Sequence, residues 1–591
     1  EPRTKHPALK KDLPMKMLFT LLTIGSLLTP GLLLAAGKSE DEKFELLANS
    51  YIESFLKQNP ETATLLGDHQ FDGKLTDRSR SGYKQRLKVN VETLKSLGSI
   101  NPARLSAINR IDYKILQSNV EAKIFEIETL REHEWNPMLY NPGDALFSLV
   151  SRDFNPLKTR LESLKKRLES VPDVVASAKS NLQNPPKIYT ETAILQNKGT
   201  ISLITEDLDL FLSPAPDMKE ELRPAREKAA KALEAYGTWL EKELLPRSNG
   251  DFRIGDKNFR TKLRYTLESN LTKEDILKRC ETELKQTQET MYATALPLFK
   301  KAFPEVTDAK KLEDRKYIIK SVLDTLAEDR PNNETIVPLA TKQLTECTEF
   351  VRTQQLMTVP DEPVKIIEMP EYQRGVAVAY CDSPGALEKN AETFFTISPT
   401  PADWPATRVT SYFKEYNNYM TQNLTIHEAM PGHYLQLMHA NRFKAPTMVR
   451  AIFSSGTFVE GWATYAEQLM AEKGFGGPSV KMQQLKMRLR LIINAMIDQK
   501  IHTAGMTEKE AMDLMMNEGF QEEGEAAGKW RRACLSSCQL STYFVGNLEV
   551  NDIRRAYEAK LGANANLKAM HDEMLSFGSP APKYVKELMK L

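Results

Sequence analysis

The chain has 591 residues, 41% hydrophobic and 27% charged, the composition of an ordinary soluble globular protein. That length makes two or more domains or one large helical body, with ample material for a core. A formal net charge of +1 with no long single-sign run removes any electrostatic reason to expect a nucleic-acid partner or a charged tail.

The first segment predicts targeting rather than fold. Residues 1–14 suit neither a signal nor a domain and read as an upstream extension. Lys16 is followed by "MLFTLLTIGSLLTPGLLLAA", so residues 15–36 have the basic start, apolar middle and small-residue end of a signal peptide cleaved after Ala36. Export to a periplasm or the outside is expected, with no stable membrane insertion after cleavage, against the alternative of an uncleaved membrane anchor. No cysteine precedes Cys280, so a lipid on an N-terminal cysteine is not expected. The five cysteines are too few to frame a chain this long with disulfides and read as structural.

Helix dominates from there, and the predicted fold class is mainly α. Residues 42–58 carry Phe44, Leu47, Tyr51 and Phe55 at helical spacing. Leu157, Leu161, Leu164 and Leu168 repeat the pattern before Pro172 is expected to punctuate it. Further helices are predicted over 224–244 by propensity, over 312–329, and over 479–502, where Leu485, Leu489, Ile492 and Met496 form an apolar stripe. Between 364 and 399 the signal changes. "VKIIEMP", "GVAVAYC" and "TFFTISP" are short β-branched or aromatic runs bounded by Pro and Gly, predicting a small sheet whose edge is able to pair an extended peptide or simply to pack the core. A boundary near 360 then separates a helical scaffold lobe (37–360) from a metal-binding catalytic lobe (361–591).

Three of the eight histidines fall in "TIHEAMPGHYLQLMHA", residues 425–440. His427-Glu428 opens like a zinc-peptidase helix, but the next histidine, His433, stands at i+6 instead of the i+4 of H-E-x-x-H. At about 100° per residue, i+6 lies about 120° round a straight helix, too far to share a metal. Pro431 and Gly432 stand between them: proline removes a helical hydrogen bond and glycine permits unusual dihedrals, so a bulge or kink is expected to turn His433 back toward His427. A zinc hydrolase needs three protein ligands and an open position. Downstream "FVEGWATYAEQLM" offers Glu460 on a helix able to pack antiparallel, and Glu467 to orient a ligand histidine from behind. Glu428, beside a ligand, is placed to take a proton from metal-activated water. His439 is read as a packing or supporting histidine.

"HEAMPGHYLQ" followed by "EGWATYAEQL" resembles the bacterial family called domain of unknown function 885, which is regarded as zinc-peptidase-like. "NLQNPPKIYTETAILQNKG" (181–199), "DFRIGDKNFRTKL" (251–263), "MIDQKIHTAGMT" (496–507) and "STYFVGNLEVNDIRR" (541–555) extend the resemblance over roughly residues 40–590. It implies a large helical zinc-peptidase-like fold, Zn2+ on His427, His433 and Glu460, and Glu428 as base. Two departures stand out: Tyr434 occupies a position where the family often has a second histidine, and "CLSSCQLSTYF" replaces a Gln-Ala-rich segment.

In the later segments Asp498 and His502 stand at i, i+4 on one helical face. His502 is then a candidate oxyanion donor with Asp498 fixing its tautomer, against the alternative of a buried polar pair. Tyr543 is a second oxyanion donor, and Arg554 or Arg555 a bidentate partner for a substrate carboxylate. The function expected is an exported zinc hydrolase of peptides or small amides, with carboxypeptidase-like cleavage as one form. The alternative is a non-catalytic exported binding or scaffold protein with the same fold. A di-iron oxidase is disfavoured, because the Glu-x-x-His pairing is absent at Glu428, where i+3 is Pro431.

Overall fold

In the computed structural model the described residues are 38–369, 378–388 and 392–591. The expected extension and signal peptide lie outside them, as does the start of the run 375–381. The protein is mainly helical with one small sheet. Helix α1 (Glu40–Gln58) starts at a capping box, Ser39 with Glu42, and buries Phe44, Ala48, Tyr51, Ile52 and Leu56. Phe55 and Leu47 pack half-buried against the same cluster.

Helix α2 (Leu157–Asn181) buries Leu161, Leu164 and Leu168 as the spacing predicts. The stop expected at Pro172 does not occur. The helix runs through it because Val171, Val174, Val175 and Ala178 continue the buried face, and that burial offsets the hydrogen bond proline removes. Helix α3 (Pro216–Trp239) passes into a π-helical turn, Leu240–Leu244. After α4 (Lys273–Ala302), the expected helix over 312–329 divides. Asp314 interrupts it and caps α5 (Arg315–Leu326) by accepting from the Tyr317 amide. Helix α6 (Ile336–Thr353) leads to the sheet.

The sheet has three strands, β1 (Val364–Glu368), β2 (Ala379–Asp382) and β3 (Thr393–Ile397), in the order β1-β3-β2. β1 runs parallel to β3, with Val364 opposite Thr393, and β2 runs antiparallel, with Cys381 opposite Phe395. Among the described residues β2 is therefore an edge. The remaining elements that build the site are α7 (Ala406–Glu415), α8 (Asn418–Glu428), α9 (His433–Arg442), α10 (Gly456–Glu472), α11 (Gly477–Ala504), α12 (Glu523–Leu535) and α13 (Ser541–Leu561). No helix of the described residues is long and apolar enough to cross a membrane.

The apolar clusters draw on both sides of residue 360. Leu485 and Leu489 of α11 pack with Phe299 of α4 and Ile318 of α5, while Ile492 and Met496 join Phe259 and Cys280. The buried pair Arg450–Asp112, 2.5 Å apart, fastens the N-terminal helices to the segment before α10. Helix α11 is central. Its predicted stripe faces these cores, and a second face, Met487, Arg490, Leu491 and Asn494 at i, i+3, i+4 and i+7, lines a cavity of about 580 Å³. His427 and Glu428 line the same cavity.

Candidate metal centre

The two histidines do not share one kinked helix. Helix α8 ends at Glu428, four residues turn the chain, and His433 opens α9. The Met430–Pro431 peptide is cis. Gly432 donates its N–H to the Ile426 carbonyl at 2.9 Å. A side chain at Gly432 would overlap the main-chain oxygens of Ile426 and His427, so only glycine fits. Trp462, fully buried on α10, donates its indole N–H to the Pro431 carbonyl at 2.9 Å. The turn is thereby fixed from below, and the two imidazoles meet with ring centroids 4.7 Å apart and planes at 87°.

Glu460 on α10 faces both. Its Oε2 lies 3.6 Å from His427 Nε2 and 3.5 Å from His433 Nε2. These separations are too long for good hydrogen bonds, and the buried Oε2 has no hydrogen-bond partner. Three donors held at about 2.0–2.1 Å around a tetrahedral ion stand roughly 3.3–3.4 Å from one another. His427, His433 and Glu460 are the group among the described residues able to converge on a metal, with donor atoms within 4.8 Å of each other. The residues present therefore fit a divalent ion.

Behind them, Glu467 Oε1 lies 2.7 Å from His427 Nδ1, which assigns the proton to Nδ1 and turns Nε2 toward Glu460. The other Glu467 oxygen accepts from Asn423 Nδ2 at 2.6 Å. Burial alone would lower the His427 pKa, but Glu460 and Glu467 outweigh it and hold it well above the ordinary value. Burial alone would raise Glu460, but the two histidines outweigh it and keep its carboxyl below the usual range and ionised. Burial moves Glu428 up, opposed by His427 and His433. The Cys381 amide of β2 donates to Glu428 Oε2 at 3.1 Å, so the strand steadies this carboxylate while Val378 and Ala379 line the cavity.

Tyr543 on α13 lines the same cavity. Burial raises its pKa, and the negative charge of Glu460 adds to this, so it remains a neutral hydroxyl. The other candidates lie elsewhere. His502 does not line the cavity: its Nε2 is held by the carbonyls of Ser536 at 2.8 Å and Ala533 at 3.1 Å, and its ring stacks on Phe259. Asp498 accepts from the amides of Cys538 (2.9 Å) and Ser541 (3.2 Å) and from the Ser541 hydroxyl (2.6 Å) rather than from His502. Groups of residues 533–541 thus engage both side chains, the arrangement of the buried polar pair named as the alternative. Arg554 is paired with Glu472 and Glu558, and Arg555 with Asp552. Neither is among the residues that line the cavity. His439 Nε2 binds the Thr358 carbonyl at 2.8 Å, a packing role.

A family model described as "Bacterial protein of unknown function (DUF885)" matches residues 60–589. The chain belongs to the DUF885 family. Among curated proteins none matches. Among solved structures, a "putative lipoprotein of unknown function" from Shewanella oneidensis is 31% identical, with TM-score 0.79 over 93% of this chain and 100% of that one. A "putative lipoprotein" from Colwellia psychrerythraea shares the fold at 17% identity, TM-score 0.77, over 93% of this chain and 99% of its own. An M32 carboxypeptidase from Deinococcus radiodurans overlaps at 10% identity and TM-score 0.37, covering 93% of this chain and 94% of its own.

Sequence reasoning passed over three groups of this DUF885 site: Asn423, the Trp462 indole and the Cys381 amide. Asn423 stands four residues before His427 on one face of α8, so its i, i+4 spacing was a readable signal. The other two contacts, to a carbonyl and from a main-chain amide, leave no trace in residue identity.

Proposed function

We propose that this DUF885 protein is an exported metal-dependent hydrolase of peptide or small amide bonds, with Zn2+ as the ion. The reading is carried by one observation: two histidine nitrogens and a carboxylate oxygen converge at 3.5–3.6 Å, with no hydrogen bond between them. Held by His427, His433 and Glu460, a divalent ion would supply Lewis-acid activation of water and of the scissile carbonyl at neutral pH.

The chain's own groups supply the rest. Glu428, with its raised pKa and one oxygen anchored by the Cys381 amide, accepts the proton of the attacking water and delivers it to the leaving nitrogen. Tyr543 donates its hydroxyl to the carbonyl oxygen as negative charge builds there. Glu467 keeps His427 in one tautomer throughout. The β2 edge offers main-chain groups against which an extended substrate aligns. Export is supported by the apolar N-terminal segment and by the lipoprotein description of both structural neighbours.

The test is elemental analysis of protein purified without added metal, followed by hydrolysis of a mixed tetrapeptide pool read by mass spectrometry. About one zinc per chain is expected, with cleavage that Glu428→Gln lowers by roughly 10²–10⁴-fold while metal content holds. Metal binding with no cleavage of any peptide or amide would leave the binding-protein alternative standing. No metal after reconstitution would sink the reading.

A further inference from the structure

The charged groups around the cavity are mostly spent on one another. Arg490 pairs with Glu415 and, at 3.6 Å, with Glu525. Lys529 stands 3.8 Å from Glu525, which also accepts from the Tyr416 hydroxyl at 3.2 Å. Lys486 completes the network at 2.7 Å from Glu415. These four pairs join three cations to two carboxylates, so each of these cations already has an acidic partner.

Two cavity-lining cations have no carboxylate partner among the described residues, Arg408 and Arg532. They differ in what they touch. Arg408 is exposed, with its guanidinium carbon 3.7 Å from the centre of the Trp404 ring, and meets no group of the metal centre. Arg532, on α12, donates from Nη2 to Gln539 Oε1 at 2.8 Å and to the Tyr543 hydroxyl at 3.2 Å. Tyr543 in turn feels the charge of Glu460. Arg532 is thus joined to the centre through one side chain, and its remaining N–H groups are uncommitted. An arginine fork with free donors at a cavity wall matches the geometry of a carboxylate.

The geometry points to Arg532 as the residue that binds the free C-terminal carboxylate of a peptide, so that the cavity takes chain ends rather than chain interiors. This inference rests on the peptide-hydrolase reading for its substrate class, but binding tests it separately from turnover. Arg532 is a binding residue here. Tyr543, which it touches, is the group that faces the reacting carbonyl.

The measurement is calorimetric titration of metal-loaded Glu428→Gln protein with N-acetylated tetra-alanine, as the free acid and as the C-terminal amide. The free acid is expected to bind roughly ten- to a hundredfold more tightly, the range of a charge-assisted hydrogen bond. Adding Arg532→Gln, a change at an exposed position, should bring the two ligands level. Arg554→Gln, which removes an arginine outside the cavity, should leave the preference intact. Equal binding of acid and amide, no binding of either, or a preference that survives Arg532→Gln would each overturn the assignment. The other source of a carboxylate is a side chain. If N-acetyl-trialanyl-glutamate amide binds better than the plain amide and Arg532→Gln abolishes that gain, the carboxylate recognised is not the chain end and the proposal fails. Discrimination by binding with no cleavage by the wild type would sink the hydrolase reading and keep the subsite. Cleavage without discrimination would do the reverse.

Discussion

Two histidine–carboxylate groups in this protein look alike in sequence and are built to opposite ends. His427, His433 and Glu460 converge with their donor atoms turned on one another and unspent. Asp498 and His502 sit one helical turn apart, yet the main chain of the turn 536–541 takes both oxygens of the first and Nε2 of the second. The difference lies in what surrounds them. Buried polar groups are normally satisfied, so donors left open around one point mark a place for something else; at the second pair the main chain claims three of the four side-chain polar atoms and only His502 Nδ1 is left without a partner.

His433→Ala removes one of the converging donors outright. It should take bound zinc from about one per chain to near none, and abolish hydrolysis, measured by elemental analysis and peptide cleavage on one preparation. Equal metal in wild type and variant would remove His433 from the centre and make the convergence incidental. Glu467→Gln acts one layer further out. It keeps a hydrogen-bonding side chain behind His427 but loses the carboxylate that fixes the tautomer, so zinc affinity should fall roughly 10–100-fold. Competition with a chelator of known affinity reads this directly, and an unchanged affinity would show that Asn423 and packing suffice to aim the ring.

Much of this was legible before any coordinates. The periodicity of Phe44, Tyr51, Leu161 and Leu164 fixes one buried face of each helix, and the β-branched runs at 364–368 and 393–397 mark their strands. Pro431 and Gly432 announce a break between the histidines, though two separate helices form where a bulge was expected. What stayed hidden has a common cause. The partners of Asp498 and His502 are backbone groups some thirty-one to forty-three residues away, and the pairing of Arg554 and the freedom of Arg532 depend on which carboxylates the fold brings near. Side-chain identity states what a group is able to bind. Competition from the main chain and from distant charges decides whether it is available.

Asp498→Asn tests the other half of the comparison. The amide accepts through only one oxygen, so one of the donors from Cys538 and Ser541 loses its partner. A loss of about 1–3 kcal/mol in stability is expected by denaturant unfolding. Zinc content and peptide cleavage should stay at the wild-type level. A large fall in cleavage with stability preserved would restore Asp498 and His502 to the chemistry.

The smallest effect comes from a third kind of acid, half-buried, neither converging on a centre nor satisfied by the main chain. Glu549 receives one hydrogen bond, from the Ser269 hydroxyl at 2.5 Å, and its Oε2 is buried without a partner. Burial pushes its carboxyl from 4.5 up to about 7, opposed by Ser269 and Lys583. Below pH 4.5 folded and unfolded chains both hold the proton. Between there and about 7 only the folded chain keeps it, so this group's contribution falls as pH rises through that window and levels off above it. Glu549→Gln holds a neutral side chain at every pH. It should remove about 1–2 kcal/mol of the decline in stability between pH 5 and pH 8, read as the difference in unfolding free energy between variant and wild type at each pH. A variant that tracks the wild type across that range would show that Lys583 and Arg279, the cations near it, keep the carboxylate ionised inside the fold.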